Sequence, residues 1–457
     1  MKKISDLIAQ YQTEGIKRIK FAVCDIDGVL RGKYISLEKF ISIAAGTSGF
    51  CDCVLGWDVA DQLYDNATFT GWHTAYPDAL VRLDLTTERR LKDEGNIPLF
   101  LGDFVTQDQQ QLHPICPRSR LKSVLNRANQ AGFGAKLAFE YEFFVFDETP
   151  HSIREKNYRN LVPLSPGNFG YSLLRTNTHA DLFNELMDFC LDHDFALECL
   201  HCETGPGVWE GAITVDDALA AADKAVLFKT LVKAFFQRKG LLATFMAKWS
   251  MDYPGQSGHC HQSLQFLNSG ESAFHDSSSA YSMSQLQKSY VAGQQKYMRQ
   301  LLAVTSPTIN SYARLVKGAW APTAATWGVE NRTTALRVIP GSAKSQRVEF
   351  RVGSADANPY LVAAAILGAG LLGIEERLIL ADPVVGDAYA IQDHLPLDSQ
   401  LPTNLRDANR ALAQSDAAKQ LFGEPFVEHY VASRDWEVRQ YEKQVTDWQL
   451  QRYFEII

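Results

Sequence analysis

Three separate apolar segments carry polar residues at every second position, and this alternation predicts three β-strands. Side chains two residues apart on a strand point to the same face, so each segment has one polar and one apolar face. In residues 137–146 (LAFEYEFFVF), Glu140 and Glu142 share the polar face, about 6 to 7 Å apart. The other two strands are predicted at residues 258–264 (GHCHQSL) and 347–352 (RVEFRV).

Beyond the first hundred residues, segments with apolar positions at helical spacing alternate with strand-like runs. This spacing predicts five helices and a helical tail, at residues 118–130, 180–193, 215–238, 284–302, 359–377 and 405–457. We find no internal repeat, coiled coil or low-complexity tract that would suggest a repeat architecture.

The first hundred residues predict a small α+β module. The N-terminal residues 1–21 predict an amphipathic helix, and residues 20–30 (KFAVCDIDGVL) predict a strand that enters a turn at Asp27-Gly28. Residues 107–118 are polar and contain two prolines, which favours a domain boundary. We therefore expect two domains, at residues 1–112 and 113–457.

Length and composition restrict the class of protein. A chain of 457 residues is too long for one ordinary core, and 46% apolar with 21% charged residues is typical of a globular protein in water. No apolar run approaches the roughly 18 to 20 residues that span a membrane. The net charge of −8, with no basic patch, argues against nucleic acid as a partner.

Cysteine usage and the N-terminus indicate the compartment. The eight cysteines form no CxxC motif, and the N-terminal residues lack the long apolar block of a signal peptide. In a long chain of this kind, reduced thiols are expected rather than disulfides. We expect a cytoplasmic protein.

The polar faces of the strands suggest a metal site. Two carboxylates as close as Glu140 and Glu142 repel each other unless a cation or a proton lies between them. Carboxylate oxygens and imidazoles, here His259 and His261, are ligands of divalent metals. Each motif also has an ordinary interpretation, as a solvated strand face or an incidental HxH, and their joint occurrence favours the metal.

A glycine-rich turn and a cluster of cations add to this picture. Glu203 and Glu210 flank TGPGVW, whose turn residues could return both carboxylates to one place, although a surface loop with acidic ends is commoner. Five cations lie within twenty residues: Arg332, Arg337, Lys344, Arg347 and Arg351. They predict either a solvated face or, in a cleft, a polyphosphate site.

The sequence Asp25-Ile-Asp27-Gly-Val-Leu after an apolar strand has two interpretations. Phosphatases and mutases of the haloacid dehalogenase type begin in this way, with the first aspartate as the nucleophile. Alternatively, Asp25, Asp27 and Gly28 supply the geometry of a strand-to-turn junction.

Taken in order, these segments resemble the glutamine synthetase family over most of the chain. The matching segments are CDIDGVLRGK, FEYEFF, ETGPGVWEG, SGHCHQSL, RLVKG, NRTTALR, RVEFR and ADANPYL. The resemblance implies an α+β fold, with an N-terminal β-grasp domain followed by a large α/β catalytic domain that contains a barrel-like antiparallel sheet. It also favours the turn interpretation of Asp25, and it implies a homo-oligomeric ring of ten or twelve subunits.

The resemblance further implies ATP and paired Mg²⁺ or Mn²⁺ ions, with glutamate as the acid. By resemblance, the metal ligands are Glu140, Glu142, Glu203, Glu210, His259 and Glu349. Residues near the nucleotide and its phosphates are Glu198, His201, Ser263, Arg332, Arg337, Lys344 and Arg347. Residues that hold glutamate or the transferred phosphate are His261, Arg314 and Arg351.

The chain departs from the ammonia-using members near the acceptor site. Those members carry a glutamate after the RLVxG arginine, where this chain has Trp320, whose aromatic face can attract a cation. Val208 and the lead-in PGQSGHCH, with Gly255, also differ from the usual wording. The resemblance is strongest to members that join glutamate to larger amines, the γ-glutamylpolyamine and γ-glutamylethanolamide synthetases.

We therefore expect an ATP-dependent ligase that forms a γ-glutamyl amide from glutamate and an organic amine, such as a polyamine or ethanolamine. The reaction would pass through γ-glutamyl phosphate, and Trp320 and Gly255 would line the substrate pocket. An ammonia-dependent glutamine synthetase and a non-catalytic ring-forming relative remain the alternatives.

Overall fold

A computed structural model describes residues 4–457 and contains two β-sheets. The smaller sheet has five strands in the order β2-β1-β5-β4-β3, with β1 and β5 parallel and the other pairs antiparallel. A register shift between Asp84 and Arg89 interrupts the β4–β5 ladder. Its strands are β1 Arg18–Cys24, β2 Leu30–Ser36, β3 Ser48–Cys51, β4 Asp78–Leu91 and β5 Ile97–Val105.

The larger sheet has nine strands, seven of them in the order β12-β13-β14-β11-β6-β8-β7, with β9 and β10 pairing with β6. All its pairs are antiparallel except β12–β13. The strands are β6 Phe133–Phe146, β7 Leu197–Cys202, β8 Val208–Ile213, β9 Asp216–Asp217, β10 Leu242–Thr244, β11 Gly258–Phe266, β12 Trp327–Val329, β13 Leu336–Ile339 and β14 Arg347–Phe350.

The central strand β6 has the alternation that the sequence predicts. Leu137, Phe139 and Tyr141 are buried on its apolar face, whereas Glu140 and Glu142 are half-buried on the opposite face. The strands predicted at 258–264 and 347–352 are likewise confirmed, as β11 and β14. One face of the sheet is therefore free to carry polar chemistry.

Helices cover the apolar face of this sheet and form most of the remaining structure. They are α1 Ile4–Thr13, α2 Leu37–Ile43, α3 Pro117–Gln130, α4 Pro150–Glu155, α5 Leu173–Thr178, α6 Ala180–Asp192, α7 Ala218–Arg238, α8 Gln285–Thr305, α9 Ser311–Arg314, α10 Pro359–Glu375, α11 Ala388–Ile391, α12 Leu405–Ala413, α13 Asp416–Phe422, α14 Glu424–Glu442 and α15 Asp447–Tyr453. None of the helices within residues 4–457 is long and apolar enough to cross a membrane.

At two places a strand occupies residues that the sequence predicts as helix. The predicted helical tail consists of four separate helices, α12 to α15. The N-terminal helix ends at Thr13, and strand β1 begins at Arg18, because Ile19, Phe21 and Val23 alternate into the core. Residues 1–3 of the predicted helix lie outside the described residues. The helix predicted at 215–238 begins at Ala218, because residues 216–217 form the short strand β9 beside β6.

Helices α8 and α10 approach each other through glycines. A Cβ atom added at Gly293 would lie 2.3 Å from the carbonyl oxygen of Ala369, and one added at Gly373 would lie 2.2 Å from the carbonyl oxygen of Ser289. Neither position has room for a methyl group, so the two backbones are in direct contact. Helix α10 starts with Pro359 and is capped by Asn358, whose side chain accepts a hydrogen bond from Tyr360 N.

A buried arginine joins the smaller sheet to the rest of the chain. Arg118, on α3, donates hydrogen bonds to Asp84 (2.9 Å) and Asp103 (2.8 Å) of the smaller sheet and to Asp223 of α7 (2.8 Å). Its charge is therefore compensated by carboxylates from both parts of the protein.

Candidate active site

The strand register places the predicted metal ligands across the centre of the larger sheet. His259 on β11 lies directly opposite Glu140 on β6, and Glu210 on β8 lies opposite Glu142. Glu349 on β14 pairs with the position of His261. Because the polar residues of neighbouring strands share one face, their side chains converge although they are far apart in the sequence.

Glu140, His259 and Glu349 form a first group that could hold a metal ion. One ligand atom from each lies within 4.8 Å of the others. His259 Nδ1 is 3.8 Å from Glu140 Oε2 and 3.4 Å from Glu349 Oε1. The buried Nε2 atom of His259 has no hydrogen-bond partner within the described residues. Two carboxylates and the one imidazole that faces them fit a divalent cation.

The protonation states in this group also suit a cation. Burial acts to raise the pKa of Glu349, but the charges of His259 and Arg351 outweigh it and bring the pKa to about 2. Burial likewise acts to raise the pKa of Glu140, and hydrogen bonds with His259 and His261 hold it well below its ordinary value. Burial, with Arg351 nearby, lowers the pKa of His259. At neutral pH these are ionised carboxylates and a neutral imidazole, the forms that bind metals.

His201, Glu203 and Glu210 form a second group with the same spacing limit of 4.8 Å. His201 Nε2 lies 3.5 Å from Glu203 Oε1 and 3.8 Å from Glu210 Oε2, and it lacks a hydrogen-bond partner among residues 4–457. The structure places the imidazole of His201, which the resemblance puts near the nucleotide, among candidate metal ligands.

An excess of negative charge is concentrated at Glu210. Burial raises the pKa of this carboxyl most, and the charges of Glu142, Glu140 and Glu203 raise it further, to about 9. Glu142 belongs to neither group, but it faces Glu210 across the β6–β8 pair and accepts a hydrogen bond from the backbone of Ser257. A cation placed here would relieve this repulsion and allow all these carboxylates to ionise.

Cations surround the first group. Arg351 Nη1 is 2.5 Å from Glu349 Oε1, and Arg337 Nη1 is 3.1 Å from Glu349 Oε2. Arg347 Nε donates to His261 Nδ1 over 3.3 Å, and His261 Nε2 is 3.0 Å from Glu140. These four residues therefore belong to one continuous network around Glu349 and Glu140.

The guanidinium of Arg332 differs from the others because it has no hydrogen-bond or ion-pair partner within residues 4–457. Its backbone carbonyl accepts a hydrogen bond from Arg351 Nε at 3.2 Å. This side chain is therefore close to the network but remains available for an anionic ligand.

A cavity of about 290 Å³ adjoins the first group. Glu140, His261 and Arg347 form part of its wall, and the predicted nucleotide-binding residues Glu198, Ser263 and Lys344 form another part. The structure thus brings these three residues together beside the first group of candidate metal ligands.

The side chain of Arg314 lies directly against the backbone of Gly255. Arg314 is 4% exposed, and it donates to the carbonyl oxygens of Val352 (2.9 Å) and Arg351 (3.2 Å). Burial lowers its pKa to about 10, so it stays charged at neutral pH. A Cβ at Gly255 would lie 2.6 Å from Arg314 Cγ. In this structure, Arg314 positions the backbone that carries Arg351.

Trp320 lies on a loop, 65% exposed and in the left-handed backbone region (φ 58°). It lines a second cavity, of about 670 Å³, together with Arg332. The structure therefore places the predicted substrate-pocket residues apart, with Gly255 under Arg314 and Trp320 at this cavity.

Comparison with known proteins agrees with this arrangement. The profile of the glutamine synthetase catalytic domain matches residues 114–453. The chain belongs to the glutamine synthetase family. It has that family's mixed α/β fold with curled sheets and is a ligase of that family.

Three relatives within the glutamine synthetase family show the range of named activities. A type-1 glutamine synthetase 2 of Dictyostelium discoideum is 46% identical over 440 residues, covering 96% of this chain and 84% of the relative. A glutamate–isopropylamine ligase of a Pseudomonas species is 36% identical, covering 100% and 98%. A γ-glutamylethanolamide synthetase, GlnA4, of Streptomyces coelicolor is 33% identical, covering 99% and 96%.

A solved structure described as GmaS without ligand superimposes on this chain with a TM-score of 0.85 at 27% identity. The alignment covers 99% of this chain and 100% of the solved chain. The agreement includes the smaller sheet as well as the larger one, because nearly the whole chain is aligned.

Tyr171 is a candidate site residue of this family member that the sequence analysis did not find. Its ring stacks on His201, with centroids 4.5 Å apart and planes inclined by 9°. Burial and the charges of Glu203 and Glu210 raise its phenol pKa to about 12, partly offset by Arg332. A single tyrosine in an irregular loop gives no periodic signal that would identify it.

Asp25 has the structural role that the turn interpretation predicted. It is 2% exposed, and its carboxylate accepts hydrogen bonds from Asp27 N, Val29 N and Arg31 Nε. Asn358, the cap of α10, donates to the carbonyl oxygen of Asp25 at 3.1 Å. The motif therefore anchors the β1–β2 turn to the larger part of the chain.

Proposed function

We propose that the protein is an ATP-dependent ligase that joins glutamate to an organic amine and forms a γ-glutamyl amide. The convergence of the two carboxylate–imidazole groups beside the unpaired guanidinium of Arg332 is the observation that carries this proposal. The named activities of the Pseudomonas and Streptomyces relatives support an organic amine as the acceptor.

Two divalent cations, Mg²⁺ or Mn²⁺, fit the proposed site. Glu140, His259 and Glu349 would hold one of them, and Glu203 and Glu210, with His201, would hold the other. Bound there, the cations would neutralise charge on the phosphate oxygens of ATP. Glu142, which raises the pKa of Glu210, would add a further carboxylate to the pair.

The reaction has two steps. A γ-carboxylate oxygen of glutamate attacks the γ-phosphorus of ATP, so that a new P–O bond forms, ADP leaves and γ-glutamyl phosphate results. The amine nitrogen then attacks the acyl carbon, the C–O bond to phosphate breaks, and a proton passes from the nitrogen to water. The fixed charges of Arg332, Lys344 and Arg347 would bind the phosphates and take up charge that develops on them.

The substrates would be positioned by residues of the larger sheet and of the turns between its strands. We propose that the cavity beside Glu198, Ser263 and Lys344 takes the nucleotide, and that Arg351, held by Arg314, faces the glutamate. His261, bonded to both Glu140 and Arg347, would orient these groups toward the transferred phosphate. Most of the rate acceleration would then come from positioning and charge.

We also propose the quaternary and domain arrangement that the family resemblance implies. Residues 1–112 would form a β-grasp domain, which the five-stranded sheet with its parallel β1–β5 pair supports. Residues 113–457 would form the catalytic domain, and the chains would assemble into a ring of ten or twelve subunits.

Ammonia-dependent glutamine synthesis is the second candidate, and the 46% identity to a type-1 glutamine synthetase favours it. Trp320 argues for the organic amine, because an exposed indole replaces a carboxylate that could accept protons from ammonium.

Steady-state ADP release by the purified protein separates the two. The assay supplies Mg²⁺, ATP and glutamate with either ammonium or a panel of organic amines, and mass spectrometry identifies the amide. We expect the amines to give the higher kcat/KM. Saturation by millimolar ammonium, with weaker rates for every organic amine, would reject the proposal in favour of glutamine synthesis.

A further inference from the structure

Tyr389, on the short helix α11, has a hydroxyl group without a hydrogen-bond partner. The side chain as a whole is half-buried, but its hydroxyl oxygen is shielded from solvent and forms no hydrogen bond within residues 4–457. A buried polar group of this kind destabilises a protein unless a partner satisfies it. The groups around this hydroxyl therefore indicate what could bind to it.

Helix α11 is attached to the turn that follows β12. The backbone N–H of Ala388 donates a hydrogen bond to Thr333 Oγ1 over 3.0 Å, and Ala388 is buried. Asp387 caps the helix, because its carboxylate accepts a hydrogen bond from Tyr389 N at 2.9 Å. The backbone of Tyr389 is therefore held at a fixed place beside this turn.

The same turn is bonded to an arginine of the candidate active site. The carbonyl oxygen of Arg332, the residue before Thr333, accepts a hydrogen bond from Arg351 Nε at 3.2 Å. The charges of Arg351 and Arg314 both act on the phenol of Tyr389. The unpartnered hydroxyl thus lies within reach of the charges of two buried guanidinium groups.

These two guanidinium groups have more positive charge than their bonded partners balance. The hydrogen bonds of Arg314 within the described chain go to backbone carbonyl oxygens. Arg351 is bonded to the carboxylate of Glu349, which is shared with Arg337 and is also a candidate metal ligand. An anionic ligand beside Arg351 would supply the missing negative charge.

The phenol can donate a hydrogen bond to such an anion only while it keeps its proton. Burial raises the pKa of Tyr389, the charges of Arg351 and Arg314 act to lower it, and Asp387 adds to the rise. The pKa is raised overall, so the phenol is neutral at physiological pH. A carboxylate offers about four acceptor sites, so it can accept this O–H as well as two N–H groups of one arginine.

We propose that Tyr389 binds the acid substrate by donating its O–H to a carboxylate that Arg351 also holds. The inference rests on the proposed ligase function and adds a substrate-binding residue that lies outside the larger sheet. Because this bond forms when the acid binds, before the phosphoryl group is transferred, its loss weakens the binding of glutamate more than it slows turnover.

Tyr389→Phe tests the inference, because it removes the hydroxyl and keeps the ring. In the ADP-release assay we expect KM for glutamate to rise by at least about tenfold, with KM for ATP unchanged. The variant also loses a buried group that has no partner, so its melting temperature without substrate should equal or exceed that of the parent. An unchanged KM for glutamate would overturn the inference. A lower melting temperature with equal rises in both KM values would also overturn it, since this result indicates a structural role.

Tyr64→Phe is the matched control, because Tyr64 has another buried phenol without a partner in residues 4–457, between β3 and β4. It should leave both KM values unchanged.

The rise in melting temperature caused by glutamate alone separates this inference from the proposed function, because it reports acid binding without turnover. We expect a smaller rise in Tyr389→Phe than in the parent. Equal shifts in the two proteins would overturn the inference. A parent that shows the larger shift, but releases no ADP with glutamate and any amine, would overturn the ligase function and leave the role of Tyr389 in acid binding supported.

Discussion

His259 faces Glu140 across the β11–β6 pair, and its Nδ1 lies 3.8 Å from the Glu140 carboxylate. The two residues are 119 positions apart in the chain, and only the antiparallel register brings them together. Glu349 reaches the same imidazole from β14. Three strands therefore supply one candidate ligand each, which fixes their separation more firmly than a loop would.

Replacing Glu140 should abolish turnover rather than weaken amine binding. Glu140→Gln keeps the size of the side chain and removes the charge that a divalent cation needs. We expect kcat to fall by at least about 100-fold, with a weaker response to added Mg²⁺. The measurement is steady-state ADP release across a Mg²⁺ titration.

Glu155→Gln is the control for this variant, because Glu155 is an exposed carboxylate at the end of α4. It should retain the parental rate. A Glu140→Gln enzyme with a near-normal kcat would exclude Glu140 as a metal ligand.

Glu210 should make the metal-free protein less stable as the pH rises. Its pKa is about 9 in the folded chain against an ordinary 4.5, so between these values the folded state binds a proton that the unfolded state does not. Stability then falls with increasing pH, by up to about 1.4 kcal/mol per pH unit. Thermal unfolding in EDTA from pH 5 to 9 measures this slope.

Two comparisons check the assignment of this slope. Glu210→Gln should flatten it, and Mg²⁺ should raise the melting temperature of the parent protein more at pH 8 than at pH 6, because binding must displace a proton. An unchanged slope in the variant would show that another group titrates.

Trp320→Glu should shift the acceptor preference toward ammonium. A carboxylate at this position can hold ammonium by charge and hydrogen bonds, which an indole cannot do in the same way. We expect the ratio of kcat/KM for ammonium over n-propylamine to rise by at least about tenfold. Trp72→Glu, which changes another exposed indole, should leave the ratio unaltered. An identical amine profile in both variants would show that Trp320 does not contact the acceptor amine.

Removing Arg118 should destabilise the junction between the two sheets. Arg118→Met leaves Asp84, Asp103 and Asp223 without their common partner, at a cost of about 3–5 kcal/mol. Arg127→Met, which breaks an ion pair with Glu375 at the surface, should cost at most about 1 kcal/mol. Urea unfolding of both variants measures the difference, and equal losses would contradict the structural role of Arg118.

The polar strands could be predicted from the sequence because the alternation is local. Every second residue of β6 is apolar and buried, so Glu140 and Glu142 had to share the other face. The convergence of Glu203 with Glu210 was harder to predict, since it depends on how tightly the chain turns between β7 and β8. The glycines around Pro206 indicated such a turn without fixing its geometry.

Other features depend on contacts that no local pattern encodes. Tyr171 reaches His201 from an irregular loop, and Pro383 lines the same cavity as Trp320 only in the folded chain. The end of the first helix was predicted too late because basic residues at 17, 18 and 20 are compatible with either a helix or a strand. Burial of Ile19 and Phe21 decides in favour of the strand.

The contact of α8 with α10 through Gly293 and Gly373 has a dynamic consequence. Two helices whose backbones touch cannot slide without a steric collision, so the support beneath the larger sheet behaves as one stiff block. We therefore expect any movement around substrates to come from irregular segments, such as those that carry Tyr171 and Trp320. These loops would then set the rate of product release, while the strands of the larger sheet hold the candidate metal ligands in the same positions from one turnover to the next.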